Sequence, residues 1–360
     1  MLRQGIKNIA FRVDVSNEVG LGHLIRCKTL AEELSNENVH SCFILRDCAK
    51  DYSLISEESN IFLLPSNLQL IDEIPYINDC IKKFKTDIII TDLSNPVFCK
   101  NFYEYNNYIS LLKERSRVVM FDGLEEDCLS RKFDVSADLI IIPYFGAHEK
   151  EYKISKDKLL LGIKYFTFRK EFTKKINARK KIKNKATNIL ISMGGSDPYG
   201  YTEKILSTIN LIGDTELNVK VVLGSCFNKT INEKIKKNAN NAAFNCKAYD
   251  NCSNMAELML WSDLSILSSG LTKYESALLR TPTLALSLYK YHVPLMNKFA
   301  KSNSLIHLGF GKDLSNNYLA SAIKEIINDY DIRNNMFINS RTFIDEKGSK
   351  RIVSRIKKIK

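Results

Sequence analysis

Nine cysteines are scattered through the chain without a single Cys-x-x-Cys pair, which argues against a zinc site or a disulfide framework and for reduced, mostly buried thiols. No apolar run approaches the ~20 residues that a membrane-spanning helix needs. The opening Met-Leu-Arg-Gln-Gly-Ile-Lys-Asn lacks the apolar core of a secretory signal, so a cytoplasmic location is expected. Gly20 and Gly22 are not followed by the third glycine of a dinucleotide fingerprint; Ile25 stands there, and a nicotinamide cofactor is disfavoured. No glycine turn runs into Gly-Lys-Ser/Thr either, which removes the main support for magnesium-dependent nucleoside triphosphate hydrolysis. Neither a cofactor nor a metal is expected.

The 360 residues, 44% of them apolar, suffice for two domains with cores of their own. A formal charge of +12 raises the question of nucleic-acid binding, but its distribution answers it. Residues 169–187 hold nine basic side chains against one acid, and residues 347–360 hold seven with no acid. The rest of the chain is slightly negative, so the basicity belongs to a connector and a tail; no nucleic-acid partner is expected.

In the first half, apolar or β-branched runs at 9–15, 42–45, 87–91, 118–121 and 139–142 alternate with helical or loop stretches. The second half repeats the style at 188–192, 219–223, 264–267, 283–288 and 304–307. Such alternation predicts two α/β lobes, each a parallel sheet wrapped by helices. The expected domains are 1–169, a basic linker at 170–187, a second lobe at 188–343 and a basic helix or tail at 344–360. Ligands of such lobes sit at the carboxyl ends of the strands, which places the expected site in a cleft between them.

Chemistry concentrates where the first strand hands over to the first helix. Leu24, Cys27, Leu30, Ala31 and Leu34 recur at helical spacing, putting His23 in the first helical turn. Unpaired N–H groups and a partial positive charge at that terminus attract phosphate and disfavour a protonated imidazole, as a general base requires. Gly20 and Gly22 leave room for a ligand to approach the backbone. Asp14, at the end of the strand, either orients His23 or is buried against Arg12.

Two turns of the second lobe face the same way. Ser192-Met193-Gly194-Gly195-Ser196-Asp197 follows a strand, and its backbone offers N–H groups to a phosphate oxygen. Ser269-Gly270-Leu271-Thr272 opens another helix, and Glu275, about one turn inside it, is placed to reach a ribose diol while the first N–H groups hold a diphosphate.

Arg12-x-Asp14-x-Ser16 running into Gly20-x-Gly22-His23-x-x-Arg26-Cys27, the Met193–Asp197 turn, and Ser269-Gly270-x-x-x-Tyr274-Glu275 resemble the UDP-sugar hydrolases of pseudaminic acid biosynthesis. These cleave UDP-2,4-diacetamido-2,4,6-trideoxy-β-L-altropyranose. The similarity continues through Leu161-Gly162-x-x-Tyr165-x-x-x-Arg169-x-x-Phe172 and Asn297 to Asp345-x-x-Gly348-x-x-Arg351, spanning nearly the whole chain. The resemblance implies the GT-B glycosyltransferase fold, two Rossmann-like parallel-sheet lobes. It further implies metal-independent hydrolysis at the anomeric carbon, with inversion and release of UDP from a UDP-amino sugar. His23 would be the base, Glu275 would bind ribose, Gly22, Gly194 to Ser196 and Ser269 to Thr272 the phosphates, and Asn297 the sugar. Lys298 after Asn297, the single Asp122 before Gly123, and Ser94 after Leu93 depart from the family pattern at positions facing the sugar, so the reaction follows more closely than the sugar does. A GT-B glycosyltransferase, a spore-coat-type polysaccharide enzyme and a catalytically silent nucleotide-sugar binder remain alternatives.

Overall fold

The computed structural model describes residues 5–15, 21–47, 60–93, 101–125, 128–178, 181–224, 226–250, 252 and 254–359. Ser16, Gly20 and Ser94, named above, lie outside them. The chain forms two units, one of Met1–Arg169 with Lys347–Lys360 and one of Lys170–Glu346.

In unit 1, strands β1 (Asn8–Val13), β2 (His40–Arg46), β3 (Asn60–Leu64), β4 (Ile88–Asp92), β5 (Arg117–Phe121), β6 (Leu139–Ile142) and β7 (Leu159–Leu161) pair in parallel in the order β3-β2-β1-β4-β5-β6-β7. Helices α1 (Gly22–Ser35), α2 (Ile74–Phe84) and α3 (Phe102–Lys113) belong to the same unit. β4 is buried at every position, as expected of a parallel strand covered on both faces. Proline in its first turn starts α2, and Lys85, at a φ of 53°, stops it; the Asn101 side chain caps α3 by accepting from the Tyr103 amide at 3.0 Å.

Unit 2 repeats the plan with β8 (Asn188–Ser192), β9 (Asn218–Leu223), β10 (Asn245–Asp250), β11 (Leu264–Ser268), β12 (Thr283–Ser287) and β13 (Ile306–Phe310), ordered β10-β9-β8-β11-β12-β13. Its helices are α4 (Lys170–Thr173), α5 (Tyr201–Ile212), α6 (Lys229–Asn240), α7 (Met255–Trp261), α8 (Thr272–Leu278), α9 (Val293–Ala300), α10 (Asn316–Asn328) and α11 (Tyr330–Asn339). Residues 170–187 belong to this unit: Lys183 pairs with Asp263 at 2.8 Å, Lys185 with Glu216 at 2.7 Å, and the fully buried Arg333 donates to the carbonyls of Lys183 and Asn184.

After α11 the chain returns to unit 1 as α12 (Gly348–Ile356), whose Ile352, Val353 and Ile356 join a core containing Leu24, Leu30 and Leu34 of α1. A Cβ on Gly348 would lie 1.9 Å from the Phe166 carbonyl oxygen, so only glycine lets the helix start this close, and Arg351 donates to the Lys164 carbonyl at 2.9 Å. In both sheets the strand order reverses beside the first strand, between β1 and β4 and between β8 and β11. Connections leave in opposite directions there and open a crevice at the strands' carboxyl ends.

Candidate active site

At the reversal point of unit 1, His23 is the second residue of α1 and Asp92 closes β4. Their side chains meet at 2.6 Å, Nδ1 to Oδ1. Arg26, one turn further along α1, grips the same carboxylate with two donors, Nε to Oδ2 at 2.7 Å and Nη2 to Oδ1 at 2.6 Å. Its remaining nitrogen donates to the Tyr144 hydroxyl at 2.8 Å, its guanidinium carbon lies 4.6 Å from the centre of the Phe121 ring, and the Cys27 thiol donates to Asp92 at 3.5 Å.

Burial pushes the Asp92 carboxyl up, but Arg26 and His23 outweigh it and hold the carboxyl well below the usual carboxylate range. An ionised carboxylate only accepts, so Nδ1 carries the proton, and with no second proton on the ring Nε2 is left with its lone pair. Among the described residues Nε2 has no hydrogen-bond partner, and the side chain is 25% exposed. The first amides of α1 lack a side-chain cap among the described residues, Leu21 being its N-cap.

The orienting carboxylate is therefore Asp92 and not Asp14. Asp14 pairs at 3.0 Å with the fully buried Arg12, which also forks onto Glu73 at 2.7 and 2.8 Å. Arg46 and the Tyr108 hydroxyl complete this cluster on Glu73. Burial works against the Arg12 charge, but Asp14 and Glu73 outweigh it. The Arg12-x-Asp14 pattern thus braces the end of β1. Asp122, at the end of β5, folds the 128–130 turn onto itself, accepting from the Leu129 and Ser130 amides and the Ser130 hydroxyl.

In unit 2, Gly194 follows β8 with a φ of +86°, a conformation that favours glycine, and a Cβ there would lie 3.4 Å from the Ser268 hydroxyl. This puts the Gly194–Ser196 turn beside the end of β11. Gly224 packs behind the turn so closely that a Cβ would fall 2.2 Å from the Gly195 oxygen, and the Cys226 amide donates to that oxygen at 3.0 Å. Asp197 accepts from the Tyr201 and Thr202 amides at 2.8 and 2.7 Å and so occupies the first donors of α5. Any anion held here must use the turn's own amides.

Ser269, Gly270 and Leu271 link β11 to α8, which begins at Thr272 with no side-chain cap on its N-cap residue Leu271. The Ser269 hydroxyl meets His292 Nδ1 at 2.7 Å, and Lys273 Nζ donates to the carbonyls of Ser269 and Gly270 at 3.0 and 3.1 Å. Burial and the Lys273 charge push His292 down to about 4, which keeps its imidazole neutral. Glu275 lies on α8 with 8% exposure. Asn297, on α9, meets His307 Nδ1 through Oδ1 at 2.7 Å, and His307 Nε2 meets the Ser287 hydroxyl at 3.0 Å.

Within unit 1, then, His23 and Gly22 share a helix start and Asp14 belongs to a separate cluster; within unit 2, the two turns are neighbours and Asn297 joins a hydrogen-bonded chain with His307. Sequence reasoning did not pair Asp92 with His23 and gave no role to Lys273 or His292. Asp92 left a trace, being an acid closing an Ile-Ile-Ile-Thr run, whereas Lys273 is a lone cation among helix formers and His292 an ordinary loop histidine. Among the described residues no group of three His, Cys, Asp or Glu could hold a metal, and no helix is long and apolar enough to cross a membrane.

No protein-family model matches the chain. It is 32% identical over 310 residues to an uncharacterized protein of Methanocaldococcus jannaschii, covering 83% of this chain and 60% of that one; it spans only that part of the relative's length. It is 24% identical over 359 residues to the spore coat polysaccharide biosynthesis protein SpsG of Bacillus subtilis, covering 96% and 97% of the two chains. Among solved structures, MurG of Acinetobacter baumannii superposes with a TM-score of 0.68 at 12% identity over 98% of this chain and 99% of that one. The UDP-GlcNAc 2-epimerase of Neisseria meningitidis bound to UDP-GlcNAc gives 0.61 at 14% over 97% and 99%. The fold is that of the GT-B glycosyltransferases, with two Rossmann-like parallel-sheet lobes.

Proposed function

We propose that the protein hydrolyses a UDP-activated amino-deoxy sugar at its anomeric carbon, with His23 as general base and with inversion of configuration. The single observation that carries the reading is the His23–Asp92–Arg26 arrangement at the reversal point of unit 1. One nitrogen of the imidazole is committed to an ionised carboxylate, and the other is open to a water molecule. In the reaction Nε2 takes a proton from water as its oxygen bonds to C1, and the C1–O bond to the diphosphate breaks with its electron pair leaving on UDP. The charge that develops is on the departing diphosphate, where amide donors lower the barrier most. The reading assigns that role to the turns at 194–196 and 269–272, the ribose to Glu275 and the sugar to Asn297.

The similarity to SpsG, the UDP-GlcNAc bound to the superposed Neisseria meningitidis epimerase, and the sequence resemblance to UDP-sugar hydrolases support a role in nonulosonic acid or surface-polysaccharide biosynthesis. A glycosyltransferase reading is favoured by MurG and uses the same base on an acceptor hydroxyl. Incubating the protein with UDP-2,4-diacetamido-2,4,6-trideoxy-β-L-altropyranose and related UDP-amino sugars, with no acceptor present, separates the two. The hydrolase releases UDP, and the first-formed free sugar has the inverted anomer by NMR. Turnover that depends strictly on an added acceptor overturns hydrolysis in favour of transfer.

A further inference from the structure

Among the described residues, Lys273 is the buried amino group whose surroundings the proposed reaction leaves unexplained. It is 8% exposed, and its hydrogen bonds go to two successive carbonyls, those of Ser269 and Gly270; no carboxylate pairs with it among the described residues. The groups facing it are the Tyr274 ring of its own helix, centred 4.4 Å away, the Phe299 ring of α9 at 5.9 Å, and His292 from the loop after β12. Burying a cation without a counter-charge is costly unless something else supplies the negative charge.

The geometry says where that charge belongs. In a trans peptide the carbonyl and the following N–H point in opposite directions. Lys273 draws the Ser269 and Gly270 carbonyls towards itself, which turns the amides of Gly270 and Leu271 the other way, and neither amide has a hydrogen-bond partner among the described residues. An anion accepting from those amides would have the ammonium directly behind the loop, a single peptide thickness away.

We propose that Lys273 is the counter-charge of the substrate's diphosphate, acting through the Ser269–Gly270 loop, so that binding of the nucleotide is accompanied by proton uptake at this amino group. The inference rests on the nucleotide-sugar reading above and adds a pH-linked control to the same site. Burial alone pushes the amino group down to about 7, so in the free protein it is largely neutral above that pH, and a bound diphosphate restores the proton. His292, neutral well below this range, contributes no proton change, and UDP is fully ionised above about pH 7.5.

Isothermal titration of the full chain with UDP, at pH 8 in buffers of different ionisation enthalpy, reads the uptake directly. Uptake approaching one proton per UDP is expected, with UDP affinity weakening by up to about tenfold per pH unit between 7.5 and 8.5. Lys273→Met should bind UDP roughly tenfold more weakly at pH 7, with no proton uptake and a flat pH profile. The wild-type measurement stands alone if that variant fails to fold. UDP binding without proton uptake overturns the inference and leaves the functional reading intact; no UDP binding at any pH overturns both.

Discussion

His23, the proposed base, is held by a carboxylate 69 residues away in the chain. Because Arg26 clamps both oxygens of Asp92, the carboxylate can neither rotate nor take up a proton near neutrality, and the ring it holds keeps one tautomer. A carboxylate held low in the folded state contributes its stability above the ordinary carboxylate range and loses it only as pH falls through the depressed value, so the pairing persists across the neutral range. His23→Ala should lower UDP release from the UDP-sugar by roughly 10²–10⁴-fold with little change in UDP affinity. Asp92→Asn should lower turnover comparably, since its amide can donate to Nδ1 and trap the wrong tautomer. Steady-state rates with UDP affinity measured in parallel check both, and near-normal turnover of either variant removes it from the mechanism. The histidine was legible in the sequence because glycine and helical spacing frame it locally. Its partner was not, because a parallel sheet brings together strand ends that the sequence holds far apart.

Elements show the same division. The strands read correctly from sequence include every central one, β1, β4, β8 and β11 among them, because burial on both faces demands an apolar run. The strands missed are β3, β7 and β10, which stand at sheet edges. β10 has no buried residue and no apolar run to mark it, whereas β3 and β7 carry only short apolar runs, at 61–64 and 159–161. Turns are legible as glycine, but what they lean on is not. Gly224 was unremarked, yet its missing side chain lets the chain after β9 support the Gly194–Gly195 turn. Gly224→Ala should therefore destabilise the protein by about 1–3 kcal/mol and weaken UDP binding through displacement of that turn. Chemical denaturation and UDP titration check the pair of effects, and an unchanged UDP affinity would separate the turn from the nucleotide.

At the scale of the whole molecule, the return of the chain to unit 1 fixes how stability is shared. Burying Ile352, Val353 and Ile356 is worth up to about 5–9 kcal/mol from apolar area alone, much of what a domain has to spare. A chain ending at Glu346 should leave the α1 face open, with a lower thermal midpoint for unit 1 and increased binding of a hydrophobic dye, while the transition of unit 2 is retained. Coincident loss of both transitions would contradict this. Apolar periodicity by itself determined two α/β units, and helical spacing determined that His23 opens the first helix, because both signals act over a few residues. Tertiary structure alone decided that Asp92 rather than Asp14 faces His23, that Lys273 lies buried behind an open amide loop, and that the basic C-terminal segment completes the first core. Each of these depends on strand order and on burial, which are set by residues far apart in the chain.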